Sequence, residues 1–254
     1  MNRIQKQLKK EGKLKSIYFT AGYPRLEDTV SIIESLANNG VDMIEIGLPF
    51  SDPLADGPTI QASSTQALLN GMSTQLLFDQ LTDIRKTVKI PLLIMGYFNP
   101  VLQYGVEAFC KRCEEIGIDG VILPDLPLEV YNKSYQAIFE KHDLINVFLI
   151  SPQTSEERIY EIDAASNGFI YMVSSASVTG TQSGFGDSHT TYFRRIDAMN
   201  LKTPKIVGFG ISNKATFEAA TRFTKGAIIG SAFVNHLTKN GIQNLAEFLT
   251  TLQK

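Results

Sequence analysis

Eight short apolar runs alternate with eight longer segments of helical character, and this alternation constrains the fold more than any other feature of the sequence. Runs such as Pro91–Met95 and Phe169–Val173 are apolar almost throughout, which is typical of strands that are covered on both faces. Strict strand–helix alternation over 254 residues predicts an α/β protein of the (β/α)8 TIM barrel class. An open, doubly wound parallel sheet is the alternative that the pattern leaves.

The N-terminus adds a further helix to this pattern. Residues 1–12 place Ile4 and Leu8 on one helical face, which suits plugging the bottom of a barrel or covering a sheet edge. No tract rich in Ser, Pro and Gly and no block of like charge divides the chain. We therefore expect residues 1–254 to form a single barrel domain with an extra N-terminal helix.

Charge and apolar run length exclude several classes of partner. The formal net charge is −2, so no overall electrostatic attraction favours nucleic acid or a membrane surface. No apolar run approaches the ~18–20 residues that span a bilayer. The basic N-terminal stretch lacks the apolar core of a secretory signal, and we expect a cytoplasmic protein.

The cysteines and histidines of the sequence do not form the patterns of a redox site or a metal site. Cys110 and Cys113 form a CxxC pair, but neither a strand–helix junction nor a second ligand pair accompanies it, so packing within a helix is the favoured interpretation. The histidines His142, His189 and His236 lack the spacing of metal ligands. We therefore expect neither a metal nor a cofactor in this chain.

The stretch from Met43 to Pro58, MIEIGLPFSDPLADGP, contains the strongest candidates for chemistry. Glu45 lies in an otherwise apolar strand, where a carboxylate is costly unless it is partnered or used. Asp52 and Asp56 follow in a loop that three prolines stiffen. One carboxylate in a strand and another on the loop beyond it suit acid–base catalysis on a substrate between them. The alternative is a buried glutamate satisfied by its neighbours, with aspartates that only form turns.

Other polar residues lie at or near the carboxyl ends of predicted strands, which form the working face of a barrel. Thr20 ends the first strand, Asp125 follows the fourth, and Tyr171 lies in the sixth. Strand ends collect polar residues in any barrel, so these positions are candidates only.

Glycines follow the last three predicted strands, at Thr179-Gly180, Gly208-x-Gly210 and Gly230-Ser231. Bare backbone amides can approach an anion at glycine, and loops seven and eight of a barrel often bind phosphate. A phosphate site is therefore predicted, although a GxG can also simply end a strand. A dinucleotide site is less favoured, because Asn213 replaces the third glycine of GxGxxG. The loop 174–188, rich in small residues, suits a mobile lid or a plain connector.

Several segments resemble the tryptophan synthase alpha subunit family, in order and with barrel spacing, over residues 19–232. They are FTAGYP, IEIGLPFSDPLADGPTIQ, MGYFNPVLQYG, ILPDLP, YMVSSASVTG, GFGIS and GSA. The second of these is the most specific. The resemblance implies a barrel lyase of tryptophan biosynthesis, which cleaves indole-3-glycerol phosphate to indole and glyceraldehyde 3-phosphate by a retro-aldol step.

The resemblance also implies roles for single residues. Glu45 matches the general acid/base that protonates the indole ring and takes up the glycerol hydroxyl proton. Asp56 matches the carboxylate that binds the indole N–H. Together with Thr20, the expected substrate-binding residues are Tyr18, Ile122, Ile150 and Tyr171 around the indole, Thr179 in the lid, and Gly180, Gly210, Gly230 and Ser231 around the phosphate.

A second subunit is part of what the resemblance implies. The family binds a beta subunit that carries pyridoxal phosphate, in an α2β2 heterotetramer, and Phe50–Asp56 and Tyr97–Asn99 resemble the contact surface. Two departures lie in the lid: Ser175, where the family often has a basic residue, and Ser177, where it usually has glycine. A sugar-phosphate isomerase barrel and a catalytically silent activator of the beta subunit are the competing hypotheses.

Overall fold

Eight parallel strands close into a barrel in this computed structural model, which describes residues 1–173, 187–208 and 210–252, without the side chains of residues 187 and 188. Each strand pairs with the next one along the chain, and the last pairs with the first. The strands are β1 (Leu14–Thr20), β2 (Met43–Gly47), β3 (Leu92–Met95), β4 (Gly120–Ile122), β5 (Ile145–Ile150), β6 (Ile170–Val173), β7 (Lys205–Gly208) and β8 (Gly226–Ile229). The predicted (β/α)8 barrel is confirmed, and the open sheet is excluded.

Helices connect the strands and pack around the barrel. The α-helices of the described residues are α1 (Arg3–Leu8), α2 (Asp28–Asn38), α3 (Pro58–Leu69), α4 (Thr74–Gln80), α5 (Phe98–Tyr104), α6 (Val106–Ile116), α7 (Leu128–Val130), α8 (Gln136–Lys141), α9 (Glu156–Ala165), α10 (Asp187–Ala198), α11 (Lys214–Thr221), α12 (Ser231–Asn240) and α13 (Leu245–Thr251). Their ends follow local chemistry: α3 starts with proline, which needs no N–H partner there, and Ser155 Oγ accepts from Arg158 N to cap α9.

Side chains along each strand alternate between the barrel interior and the layer between strands and helices. The interior cluster includes Met43, Leu93, Ile122, Val147 and Ile206. The outer layer includes Ile44, Leu92, Val121, Phe148 and Val207. Residues that pair between neighbouring strands face the same side of the sheet. Tyr18 on β1 pairs with Glu45 on β2, and Glu45 pairs with Leu93 on β3. The side chain of Glu45 therefore belongs to the interior.

Helix α1 closes the amino-terminal end of the barrel. Ile4 is fully buried in the interior cluster, and Gly120 leaves room for it, because a β-carbon there would lie 2.8 Å from Ile4 Cδ1. Asn2 fixes the start of the helix: its Oδ1 accepts from Ile4 N at 2.9 Å, and its Nδ2 donates to the carbonyls of Asp119 and Asp143 at 2.8 Å. The predicted extra helix is thus confirmed, and it acts as a plug.

A buried carboxylate ties the elements at this end together. Asp119 accepts from Leu92 N at 2.9 Å and from Arg3 Nη1 at 2.9 Å, and it forms a further ion pair with Arg85. The side chain of Asp119 is only 2% exposed, so its charge needs these donors. The contacts join α1, the amino end of β3 and the residue before β4.

Cys110 and Cys113 lie on the buried face of α6 as free thiols. Burial raises the pKa of Cys110 to about 12, and it raises the pKa of Cys113 well above its usual range. A thiol with such a high pKa stays protonated at neutral pH, which makes it a weak nucleophile and a poor metal ligand. The interpretation of this pair as helix packing is confirmed.

Two expectations concern the chain as a whole. Among the described residues no helix is long and apolar enough to cross a bilayer. That residues 1–254 form one domain stays a prediction.

We predict that Ile4→Ala lowers the free energy of unfolding by about 2–5 kcal/mol, because it removes a fully buried side chain and leaves a cavity in the barrel interior. Urea denaturation followed by circular dichroism measures the loss. Leu69→Ala is the matched control, since Leu69 is 75% exposed and its truncation should change stability by at most about 0.5 kcal/mol. Equal effects of the two substitutions would contradict a plug centred on Ile4.

Candidate active site

A cavity of about 390 Å³ opens at the carboxyl end of the barrel. Its floor includes interior side chains, and its rim is built by the loops after β2, β3, β4 and β5. The lining includes Tyr18, Met95, Leu149 and Val173 from the strands and Phe50, Asp56, Tyr97, Pro124 and Ser151 from the loops. The volume and the mostly apolar wall suit a small organic ligand.

Glu45 lies at the centre of β2 and is fully buried in the barrel interior. Ser16 Oγ donates to Glu45 Oε1 at 2.8 Å. Oε2 has no hydrogen-bond partner among the described residues. One oxygen of the carboxyl group is therefore fixed by a hydrogen bond, and the other is buried without one among the described residues.

Burial raises the pKa of the Glu45 carboxyl to about 8, and the Ser16 hydrogen bond opposes this rise to a lesser degree. A carboxyl group removed from water favours its neutral form, because the charge loses its hydration. Glu45 is therefore mostly protonated at neutral pH. A carboxyl group in this state can donate a proton and later take one back.

Asp56 lies in the loop after β2 and lines the cavity. Burial raises the pKa of its carboxyl to about 6, while the hydroxyl of Tyr97, which donates to Oδ2 at 3.4 Å, acts in the opposite direction. Asp56 is therefore mostly ionised at pH 7. The site thus combines one neutral and one negative carboxyl group, which is the usual basis for separate acid and charge-stabilising roles.

Tyr97 holds the loop after β2 in place. Its hydroxyl accepts from Ala55 N at 3.0 Å, and its ring stacks on Phe50 with the centroids 4.9 Å apart. The carboxylate of Asp125 accepts from Phe98 N at 2.9 Å, which fixes the turn that carries Tyr97. Asp125, a candidate from its place after the fourth strand, therefore supports the site from outside the cavity wall.

Two tyrosines share the barrel interior with Glu45, and two glycines make room for them. A β-carbon at Gly47 would overlap the hydroxyl of Tyr18, and one at Gly208 would overlap the hydroxyl of Tyr171. Burial raises the pKa of both phenols, and the nearby carboxylates raise it further. Both hydroxyl groups are therefore neutral at any physiological pH.

Two further predicted binding residues also lie on the inner side of the barrel. Ile122 belongs to the interior cluster at the end of β4. Thr20 is fully buried at the end of β1, where its hydroxyl shares a hydrogen bond of 2.7 Å with Ser63 on α3. Thr20 thus joins the first strand to the helix that follows the Asp56 loop.

Ile150 packs in the outer layer, where its carbonyl accepts from the Tyr192 hydroxyl at 3.3 Å. Strand alternation explains this placement, because Ile150 pairs with the outward-facing Met172 on β6. Leu149, one residue earlier, packs against the interior cluster and lines the cavity. The prediction of Ile150 as pocket lining is therefore corrected in favour of Leu149.

Two glycines of the predicted phosphate site, Gly210 and Gly230, lie after β7 and β8. Gly210 adopts a φ of +76°, a conformation that favours glycine, and Gly230 precedes α12, whose first residue is Ser231. The N-terminus of a helix offers unpaired amides and a favourable dipole to an anion. Asn213, by contrast, caps α11 by accepting from Thr216 N at 3.0 Å, so it serves the helix.

Most of the predicted lid, 174–188, lies outside the described residues, which resume at residue 187. Thr179 and Gly180, both predicted to bind substrate, belong to this part of the chain. So do the departures from the family pattern at Ser175 and Ser177.

Sequence reasoning missed two residues that contact the catalytic candidates. Ser16 lies two positions before Tyr18 on the same strand face, so the period of two along β1 is a signal that points to it. Tyr97 carries no such signal, because its contact with Asp56 joins two loops that are distant in sequence.

In the described part of the chain, no group of three or more His, Cys, Asp or Glu side chains is arranged to hold a metal ion. His142 packs against α6 on the outside of the barrel, with Nδ1 2.7 Å from the Glu114 carboxylate.

Comparisons with known proteins find relatives along almost the whole chain. The family model described as tryptophan synthase alpha chain matches residues 5–254. A tryptophan synthase alpha chain from Flavobacterium johnsoniae is 71% identical over 249 residues, which cover 98% of each chain. Another, from Flavobacterium psychrophilum, is 66% identical and covers 99% of this chain and 100% of its own length.

Solved structures resemble the same barrel. Tryptophan synthase subunit alpha from Legionella pneumophila has a TM-score of 0.90 at 34% identity and covers 100% of this chain and 97% of its own. A chain of the tryptophan synthase complex from Pyrococcus furiosus has a TM-score of 0.83 at 30% identity, with 96% and 97% covered.

The raised pKa of Glu45 predicts that Glu45→Gln becomes more stable, relative to the wild type, as the pH rises. Between the unfolded pKa of about 4.3 and the folded value of about 8, the folded protein holds a proton that the unfolded chain releases. This contribution to stability is complete below the unfolded pKa and is lost as the pH rises through the folded pKa. The amide holds no such proton, so the difference in urea midpoint should grow between about pH 5 and about pH 8.

Glu11→Gln is the matched control, since it makes the same exchange of carboxyl for amide at an exposed position. A difference for Glu45→Gln that stays constant over this range would contradict a buried carboxyl with a raised pKa.

Proposed function

Because this chain belongs to the tryptophan synthase alpha chain family, and is a lyase of tryptophan biosynthesis, we propose that it cleaves indole-3-glycerol phosphate with Glu45 and Asp56 as catalytic residues. The products are indole and glyceraldehyde 3-phosphate. The observation that carries the proposal is the fully buried carboxyl of Glu45, whose Oε2 is unpartnered among the described residues in a barrel whose mouth Asp56 lines.

The cleavage needs two proton transfers and no co-reactant. Glu45 gives its proton to C3 of the indole ring, which becomes cationic. The resulting carboxylate then removes the proton of the side-chain hydroxyl next to C3, the C–O bond becomes a carbonyl, and the electrons of the broken C–C bond neutralise the ring. Asp56 accepts a hydrogen bond from the indole N–H and stabilises the cationic ring.

The pKa values of the two groups define a working range. Asp56 is ionised above about pH 6, and Glu45 keeps its proton below about pH 8. Both groups are in the required state between these values, so the rate should follow a bell-shaped pH profile.

The remaining residues of the proposed site bind the substrate and orient it. Tyr18, Thr20 and Tyr171, with the interior side chains of Ile122 and Leu149, surround the indole. The phosphate would rest on the backbone at Gly180, Gly210, Gly230 and Ser231, with Thr179 above the substrate. A phosphate fixed at one end places the reacting carbon at the carboxyl groups, which lowers the entropic part of the barrier.

The proposed partner is a beta subunit that carries pyridoxal phosphate and receives the indole, in an α2β2 heterotetramer. The proposed contact surface is the loop Phe50–Asp56 with the turn Tyr97–Asn99. Leu54 is 83% exposed in this loop, and the stacking of Phe50 on Tyr97 joins the two segments into one surface. We propose no cofactor for this chain, and the cytoplasm as its compartment.

Glu45→Gln should abolish the release of indole from indole-3-glycerol phosphate, with a loss of at least about 10²–10⁴-fold, because an amide cannot exchange the proton. The assay is run with and without a purified tryptophan synthase beta subunit, and titration calorimetry should show that the variant still binds that subunit. Unchanged turnover would remove Glu45 from the mechanism. A wild type that releases no indole under either condition would refute the lyase proposal and favour a silent activator.

Asp56→Asn should lower kcat by about 10²–10³-fold with the fold intact, because the amide cannot stabilise a cationic ring. Circular dichroism verifies the fold. Asp83→Asn is the matched control, since Asp83 is exposed on the outside of the barrel and should leave kcat unchanged. Kinetics like those of the wild type in Asp56→Asn would reduce this aspartate to a turn-forming residue.

A further inference from the structure

We propose that Ser16 is a positioning residue, whose hydroxyl fixes one oxygen of the Glu45 carboxyl and leaves the other oxygen to exchange the proton with the substrate. This inference rests on the proposed catalytic role of Glu45. Ser16 is not a predicted site residue, and it lies one interior layer further from the cavity than Glu45, because Glu45 pairs with the cavity-lining Tyr18. Its influence on the reaction would therefore pass entirely through Glu45.

The backbone of the barrel holds the two side chains in reach of each other. Ser16 pairs with Met43 in the β1–β2 ladder, and Tyr18 pairs with Glu45 one interior layer further along. Ser16 is 1% exposed, and its Oγ lies 2.8 Å from Glu45 Oε1. Because both positions belong to the hydrogen-bonded wall of a closed barrel, this contact does not depend on a mobile loop.

No other described side chain competes for the role. From β3, the neighbouring Leu93 cannot form a hydrogen bond, and from β1 and β6 the titratable groups that face Glu45 are the phenols of Tyr18 and Tyr171. Asp56 is the remaining charged group that acts on this interior. Glu45 Oε2 nevertheless has no partner among the described residues, so Ser16 alone distinguishes the two oxygens.

This asymmetry has a direct chemical consequence. While Glu45 is neutral, the Ser16 hydroxyl donates to Oε1, so the acidic proton resides on Oε2. After Glu45 has given up that proton, the same hydrogen bond stabilises the fully buried carboxylate. Ser16 thereby fixes the direction of proton transfer and makes Glu45 a stronger acid than burial alone would allow.

The test compares Ser16→Ala with Ser16→Thr, which keeps a hydroxyl at the same position. In Ser16→Ala the upper limb of the kcat–pH profile should move to higher pH by about one unit, because the lost hydrogen bond had stabilised the ionised form. We also expect kcat at the optimum to fall about tenfold, with little change in KM, since Ser16 lies one interior layer further from the cavity than Glu45. Ser16→Thr should restore both the limb and most of kcat.

Thr224→Val is the matched control for the loss of a buried hydroxyl. Thr224 is 4% exposed at the amino end of the barrel, where its Oγ1 donates to the carbonyls of Ala220 and Gly226 at 3.0 and 2.9 Å. This variant should lose stability and keep the wild-type pH profile.

A second readout needs no turnover. The side-chain carboxyl carbon of ¹³C-labelled Glu45, assigned by its absence in Glu45→Gln, should titrate at higher pH in Ser16→Ala than in the wild type. An unmoved titration and an unmoved kcat limb in Ser16→Ala would overturn the proposal, as would a Ser16→Thr variant no better than Ser16→Ala. If the wild type released no indole, the lyase proposal would fail instead, and the titration would still decide whether Ser16 tunes Glu45.

Discussion

The removal of one carboxyl group from water is the constraint on which the rest of this structure depends. Glu45 is fully buried in a barrel whose amino end Ile4 closes, and burial raises the pKa of the carboxyl to about 8. An acid that keeps its proton at neutral pH is what a carbon protonation requires. The apolar interior therefore serves two purposes, since it stabilises the fold and sets the protonation state of the glutamate that we propose as the catalytic acid.

The second carboxyl group behaves differently because it belongs to a loop. Asp56 lies on the rim, its pKa rises only to about 6, and the Tyr97 hydroxyl stabilises its charged form. A strand side chain in the barrel interior and a loop side chain on the cavity rim, from neighbouring segments of the chain, thus hold different charge states. The two charge states follow from the different solvation of wall and rim, and they need no difference in carboxyl chemistry.

Those features of the fold and of the candidate site that follow from hydrophobic periodicity and residue type could be predicted from the sequence. The alternation of runs and helical segments predicted the barrel, and Glu45 stood out as a charge in an apolar strand. The resemblance assigned Ile150 to the pocket, whereas Ile150 lies in the outer layer and Leu149 lines the cavity. The run containing both residues is apolar at both positions, so only strand pairing assigns the faces. The period of two along β1 places Ser16 on the interior face, but its contact with Glu45 joins segments far apart in the chain and does not follow from the sequence. The same is true of the contact of Tyr97 with Asp56, for which the sequence carries no signal.

Small residues complete the site by leaving space where its large side chains end. Gly47 and Gly208 lie where β-carbons would overlap the hydroxyls of Tyr18 and Tyr171, so the two phenols can occupy the interior without displacing the strands. The backbone of a closed barrel cannot move apart to admit a larger residue without breaking its hydrogen-bonded ladder. The positions of these glycines thus determine how far each tyrosine reaches, and with it the shape of the apolar space around Glu45. The electrostatics of the acid and the packing of the tyrosines are therefore two results of the same strand geometry.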